Sequence, residues 1–221
     1  MTGASTTSPP LSRREARRLD RRDAILAVAK TYFLEHGYAG TTMSGIAATL
    51  GGSKGTLWSH FPSKEELFSA VLDRVASAYR AQLSQILDPS SPLEPTLLRA
   101  CRSLLEKVCS TEAIALHRLI YAESGRFPEL SRIFFELAPR HTLALLADYI
   151  IAVMDRGQLR RDDPTNAARV LMALTMVGSH RQLMLGQITE PCSAQMQADV
   201  DLAVDLFLRA YAPETGSDRT R

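Results

Sequence analysis

Cysteine is scarce in this chain, and its placement excludes two classes of protein. Cys101, Cys109 and Cys192 are odd in number, widely spread and without CxxC spacing, which leaves neither a disulfide framework nor a cysteine zinc site. That usage fits a reducing cytoplasm. Long apolar runs are missing too: nothing approaches the roughly 18 uninterrupted residues of a membrane span, and the best candidate, Leu143 to Met154, contains Asp148. The arginine-rich N-terminus followed by Ala24 to Leu34 imitates a signal peptide, but Lys30 interrupts the apolar part and the spacing is helical. The expectation is a soluble, cytoplasmic protein with no membrane partner. Catalytic signatures are equally short. There is no GxSxG elbow, P-loop or GxGxxG, and no base can be placed beside Cys101 or Cys109. His117, His141 and His180 form no HxxxH or HExxH pair to which Glu123, Glu136 or Asp148 would add a metal ligand. No enzyme activity, cofactor or metal is expected.

What is present is helical periodicity. Apolar residues make up 45% of the 221, enough to bury a core in one large domain or in a small and a medium one. Ile25, Leu26, Ala29, Tyr32 and Phe33 form a first stripe that Gly37 ends. Leu67, Phe68, Val71, Leu72 and Val75 open a long helix that runs to Leu87, where Asp88-Pro89-Ser90-Ser91-Pro92 breaks it. Further stripes run through Leu97 to Val108, Leu116 to Ile120, and Leu130 to Val153, the last interrupted by Pro139, which either kinks or splits its helix. Asp163-Pro164 caps and opens a helix through Val170, Leu171, Leu174, Val177 and Leu183, and a final one carries Val200, Ala203, Leu206 and Phe207. No segment alternates like a strand. The fold is read as all-α, about nine helices, without repeats.

Charge points to one end. The net charge of +2 diagnoses nothing. Residues 1–64, however, hold nine Lys or Arg (Arg13, Arg14, Arg17, Arg18, Arg21, Arg22, Lys30, Lys54, Lys64) against four acids. Within that basic end, Thr42 can cap a short helix with Met43, Ile46, Ala47 and Leu50 on one face, and Gly51-Gly52 ends it. Ser53 can cap the next, whose Leu57 and Phe61 point inward while Lys54, Thr56, Trp58, Ser59 and His60 point elsewhere, donor-rich and free of acids. Two short helices joined by a glycine turn have the form of a DNA-reading helix-turn-helix. Pro62 stops the second, and Ser63-Lys64-Glu65-Glu66 is a capping box for the following helix.

From about Arg21 to Val75 the chain resembles the N-terminal domain of the TetR family of bacterial transcriptional regulators. The residues that carry the likeness are Phe33-Leu34-Glu35-His36-Gly37-Tyr38, Thr41-Thr42, Ile46-Ala47, Gly51, Ser53-Lys54-Gly55-Thr56-Leu57 and His60-Phe61-Pro62-Ser63-Lys64-Glu65-Glu66-Leu67. Leu116-His117-Arg118-Leu119-Ile120 and Arg126-Phe127-Pro128-Glu129-Leu130 resemble the C-terminal region of the AefR-like subgroup. Three positions depart from the pattern: many members carry valine at Gly52, an acidic or long polar residue at Gly45, and tyrosine at Trp58.

The resemblance implies a basic or disordered arm over 1–19, a DNA-binding head over 20–64 with its motif at 42–61, an effector-binding and dimerisation domain over 65–212, and a flexible tail over 213–221. It implies a ligand-released repressor acting as a homodimer on a palindromic, double-stranded DNA operator. Lys54, Thr56 and Trp58 would reach base edges, and Thr42, Ser53, His60 and Lys64 would sit on phosphates, with Gly55, Ser59, Arg21 and Arg22 completing the DNA-facing set. The fourth to seventh helices would enclose a pocket for a small, mostly apolar effector, with Leu105, His117, Tyr121, Phe134 and Met176 as candidates. The last two long helices would pair with their copies through Leu171, Leu174, Leu206 and Phe207. The competing readings are an all-α protein-interaction module and a small-molecule enzyme on the same scaffold.

Overall fold

The computed structural model describes residues 12–51 and 54–213, with only the backbone of Lys54. Among the described residues there are eleven helices and no strand, in two compact units, Met1–Val71 and Leu72–Arg221.

In the first unit α1 (Arg13–Gly40) is followed by α2 (Met43–Thr49), α3 (Lys54–His60) and the first turns of α4 (Lys64–Ile86). A capping box starts α1: the Glu15 N–H donates to Ser12 Oγ at 3.3 Å, and the Ser12 N–H donates to the Glu15 carboxylate at 2.9 Å. Residues 13–19, expected as part of an arm, are therefore helical, because this box satisfies the first orphan amides. The expectations for 1–11 and for 214–221 lie outside the described residues. The helical path of α1 breaks at Gly37, with φ 70° and ψ 173°. Ile25, Ala29, Phe33, Ile46, Leu57, Phe61, Leu67 and Phe68 are almost fully buried. Phe68 meets Phe33 and Tyr38 edge-on at 5.0 and 5.3 Å, contacts that add about 0.5–1.5 kcal/mol each to simple burial. Since Leu67, Phe68 and Val71 belong to this core, the units part at Val71 and Leu72 and not at the expected 64/65 boundary.

The second unit takes the rest of α4 with α5 (Leu93–Val108), α6 (Thr111–Glu123), α7 (Pro128–Leu137), α8 (Pro139–Asp155), α9 (Pro164–Met176), α10 (Ser179–Met184) and α11 (Ser193–Ala210). Ser110 caps α6 and Asp163 caps α9, the latter with Pro164 in the first turn. α8 packs on α9, and α11 on α5 and α9, around Leu97, Leu105, Ile150, Val153, Leu171 and Phe207.

Two breaks raise the helix count above nine. Pro139 splits its helix: Ala138 lies at φ −120° and ψ −76°, because proline has no N–H to give and its ring would strike the preceding turn. At Gly178, with φ −88° and ψ −110°, the expected helix through Leu183 divides into α9 and α10. Asp199 of α11 takes the Ser179 N–H at 2.8 Å and its hydroxyl at 2.5 Å, a cap supplied from another helix. A Cβ at position 178 would collide with that carboxylate. Pro128–Asp155 is long and apolar enough to cross a bilayer by composition, yet α8 buries Leu146, Ala147, Ile150 and Val153 in the core.

Candidate nucleic-acid interface and effector cavity

Local capping shapes the head. The Thr42 hydroxyl accepts the Gly45 N–H at 3.0 Å, which starts α2 and leaves the hydroxyl proton free to donate outward. Gly51 sits at φ 63°, a conformation glycine adopts without strain, and the chain turns there. Leu57 and Phe61 are 2% exposed and anchor α3. That leaves Gly55, Trp58 and Ser59 exposed and Thr56 and His60 half-buried, with Trp58 at 38% exposure. Ser59 Oγ donates to the Thr56 carbonyl at 2.8 Å. Gly52, Ser53 and the Lys54 side chain lie outside the described residues.

Three polar side chains of the head have partners that sequence spacing does not reveal. Lys64 Nζ donates to the Tyr38 carbonyl at 2.9 Å and lies 4.1 Å from the centre of the Tyr38 ring. Its ammonium thus ties the end of α1 to the start of α4, and a phosphate would have to use its remaining protons. Arg22 stacks on Phe61 at 4.4 Å. His60 is pushed below the ordinary imidazole range by burial and then by Arg18, Arg22 and Arg21, so near neutral pH it offers a hydrogen bond and not a charge. Gly45 has a steric reason: a Cβ there would meet the Tyr32 hydroxyl and lie 2.9 Å from Tyr32 Cζ.

This geometry and the sequence agree with known proteins. Residues 25–71 match the family model for bacterial regulatory proteins of the tetR family, and residues 95–213 match that of the AefR-like transcriptional repressor C-terminal domain. The chain belongs to the TetR family of transcriptional regulators. It is similar to the HTH-type transcriptional regulator YhgD of Bacillus subtilis, 32% identical over 71% of this chain and 81% of the relative. A solved TetR-family regulator from Mesorhizobium loti superposes with a TM-score of 0.77 at 30% identity, over 91% of this chain and all of the other. The flavonoid-responsive regulator FrrA superposes with a TM-score of 0.74 at 30% identity, over 90% and 99% of the two chains. A TetR-family protein is a DNA-binding regulator, and α2 and α3 are the elements that the family match places in its head.

The second unit holds a cavity of about 290 Å³. Of the predicted lining, His117, Tyr121, Phe134 and Met176 reach it, and Leu105 does not. Leu105 is 0% exposed in the core; its neighbours Leu104 and Val108, four apart on the adjoining flank of α5, line the cavity. The α5 stripe was legible, but it is wide enough to face core and cavity at once. Leu72, a member of the α4 stripe, also lines the cavity, as do Ala76 and Thr142, which no sequence signal singled out. Among the described residues no carboxylate does, and the charged residues of the lining are Arg80 and Lys107. Arg80 is held by Asp73 and the Leu137 carbonyl, both at 2.7 Å. His117 Nδ1 lies 3.1 Å from His180 Nε2, and its ring meets Phe134 edge-on at 5.3 Å. Burial, and then His180, pulls His117 down to about 4, so the imidazole that reaches the cavity is neutral.

The four residues assigned to a subunit seam divide. Leu171 and Phe207, at 1% and 0% exposure, belong to the protomer's own core and have nothing left to give a partner. Leu174 is half-buried, and Leu206 is 40% exposed. Val170 on α9, Val177 at its C-cap and Leu202 on α11 are exposed with them. The correction is one of phase: Val200, Ala203, Val204 and Phe207 form the inward face of α11, and Leu202 and Leu206 project from the other side.

Proposed function

We propose that the protein is a homodimeric repressor that a small, mostly apolar effector releases from a palindromic operator in the cytoplasm. The observation that carries this reading is the cavity: a largely apolar, acid-free space with one neutral imidazole, in a chain whose other unit bears the helix-turn-helix. Lys54, Thr56 and Trp58 would read base edges in the major groove, with Gly55 allowing close approach. Thr42, Ser53, Ser59, His60, Arg21 and Arg22 would position the head on phosphates. Two heads held about 34–36 Å apart, or a multiple of that, suit a palindrome.

Exposed apolar residues along α9 and α11 support dimerisation. Val170 and Leu174 on α9 with Val177 at its C-cap, and Leu202 and Leu206 on α11, recur at helical spacing, and an uncovered stripe of this kind is unusual on a monomer. FrrA responds to flavonoids by its description, and the aromatic edges of Phe134, Tyr121 and His117 suit a planar ring here. The effector acts only if it binds the DNA-incompetent state more tightly; coupling of about 1–3 kcal/mol changes operator affinity roughly 5–150-fold. Against an enzyme stands the burial of Cys101 and Cys109, which pushes both thiols up to about 11 and leaves neither a thiolate near neutral pH.

Selection of genomic fragments with the purified protein tests the reading. A recovered palindrome, bound by a dimer and released by an aromatic compound that also raises the melting temperature, is the expected result. Failure to retain any fragment would overturn it, and binding that no cavity ligand alters would remove the effector half.

A further inference from the structure

The match to the DNA-binding family model begins at residue 25, but α1 begins at Arg13, about three turns upstream. Those turns carry Arg13, Arg14, Arg17, Arg18, Arg21 and Arg22. At about 100° per residue all six fall within an arc of about 180°. Glu15, Ala16, Leu19, Asp20 and Asp23 occupy the other half. A solvated helix with mixed charges has no reason to sort them so completely, and no acid stands four residues from any of the six arginines, the usual pairing of such a helix.

The acids do not neutralise this face. Glu15 is engaged by the Ser12 amide and hydroxyl at 2.9 and 2.7 Å as part of the cap. Among the described residues no ion pair engages Arg13, Arg14, Arg17 or Arg18, all of them exposed. The face also has a direction. Arg22 lies on the ring of Phe61, the residue that follows α3, and Arg18, Arg21 and Arg22 are near enough to His60 to depress its proton affinity. The arginine half of α1 thus reaches the C-terminal end of α3.

We propose that the Arg13–Arg22 stretch of α1 is a second DNA-contacting element, a rigid arm that grips phosphates beside the groove entered by α3. The proposal rests on the DNA-binding reading of the head. Because the stretch is helical, about 10–12 Å across, it is too wide for a minor groove of about 6 Å. It lies along the backbone instead, its guanidinium groups pairing with phosphate oxygens. Such contacts carry no sequence information, so the arm raises affinity for every duplex and lengthens the protected site without sharpening base choice. An anionic membrane suits it less well, because the opposite half presents Asp20 and Asp23 beside Leu19 and has no apolar face to insert.

The test uses the full chain and a fluorescein-labelled mixed-sequence duplex, titrated over a range of salt. The variant carries Arg13→Gln, Arg14→Gln, Arg17→Gln and Arg18→Gln, since glutamine keeps helix propensity close to that of arginine. The slope of log K against log salt should become shallower by about 0.9 for each phosphate that the variant no longer neutralises. The matching Arg→Lys variant should keep its slope, which separates lost charge from a damaged helix. Equal slopes for the wild type and the Gln variant would overturn the arm while leaving the head intact. No salt-dependent DNA binding by the wild type would instead sink the DNA reading itself. Charge-dependent capture on vesicles of anionic phospholipid, with the DNA slope unchanged by the Gln variant, would reassign the face to a membrane and also overturn the proposal.

Discussion

The candidate sites of the head and of the C-terminal unit are assembled in different ways. In the head the outward residues run almost consecutively, from Thr42 to His60, because two helices of seven residues each leave little chain between a cap, a buried anchor and an exposed side chain. In the C-terminal unit the cavity draws Ala76 from α4, Leu104 from α5, His117 from α6, Phe134 from α7, Thr142 from α8 and Met176 from α9. A site made by neighbours along the chain survives as a motif. A site made by convergence leaves only stripes whose inner and outer sides look alike.

The largest expected effect that would sharpen this contrast is at the α11 face. Leu202 is 55% exposed, so Leu202→Asp should leave the protomer folded, whereas Phe207→Asp would place a carboxylate in the core and unfold it. If the stripe is a subunit seam, Leu202→Asp yields monomers by sedimentation. Affinity for a palindrome then falls by roughly 10²–10⁴-fold, the benefit of linking two heads. A Leu202→Asp dimer with unchanged affinity would place the seam elsewhere and break the comparison at its C-terminal side.

Next in size is a pH effect confined to the C-terminal unit. Burial holds the folded-state value of His117 near 4 against about 6.5 unfolded, and burial lowers His180 as well. Between those values the unfolded chain binds a proton that the folded chain does not. Stability is therefore full above about 6.5, is lost as the pH falls toward 4, and levels off below. His117 alone accounts for about 3 kcal/mol at most, from about 1.4 kcal/mol per unit. His117→Phe should flatten urea midpoints across that window; an unaltered pH profile would show that the buried pair is not what titrates.

The legibility of each region follows from the same physics. Thr42 and the pair Leu57 and Phe61 were readable because capping and i, i+4 spacing act within a single turn. Leu105 and Phe207 were misplaced by one position, since amphipathic periodicity fixes a helix's axis of asymmetry but not which of two apolar neighbours a cavity or a partner receives. The approach of His117 to His180 spans 63 residues and leaves no periodic trace. The extension of α1 to Arg13 was hidden for another reason: its turns lack an apolar stripe, and a capping box holds the start.

Gly45 provides a smaller test on the head's side. Gly45→Ala drives a methyl group into Tyr32 and should cost about 1–3 kcal/mol, the usual range for overpacking. Tyr32→Ala should restore most of that loss, and a Gly45→Ala melting temperature equal to that of the wild type would show that Tyr32 simply rotates away. The smallest expected effect is at Lys64. Its bond to the Tyr38 carbonyl is half-exposed, so Lys64→Ala should lower head stability by about 1 kcal/mol and change the DNA salt slope by less than one phosphate's worth. A slope change near 0.9 with unaltered melting would return Lys64 to the phosphate set.

The carboxylate that Asp199 lends to Ser179 makes position 178 hostage to position 199. A side chain at 178 would push the Asp199 carboxylate off the Ser179 amide, so it costs the cap; once the aspartate is gone that cost has already been met and 178 is open to change. The two positions are therefore coupled, and a change at 178 is less costly after one at 199. Gly178→Ala should accordingly lower the melting temperature more with Asp199 present than in an Asp199→Ala background.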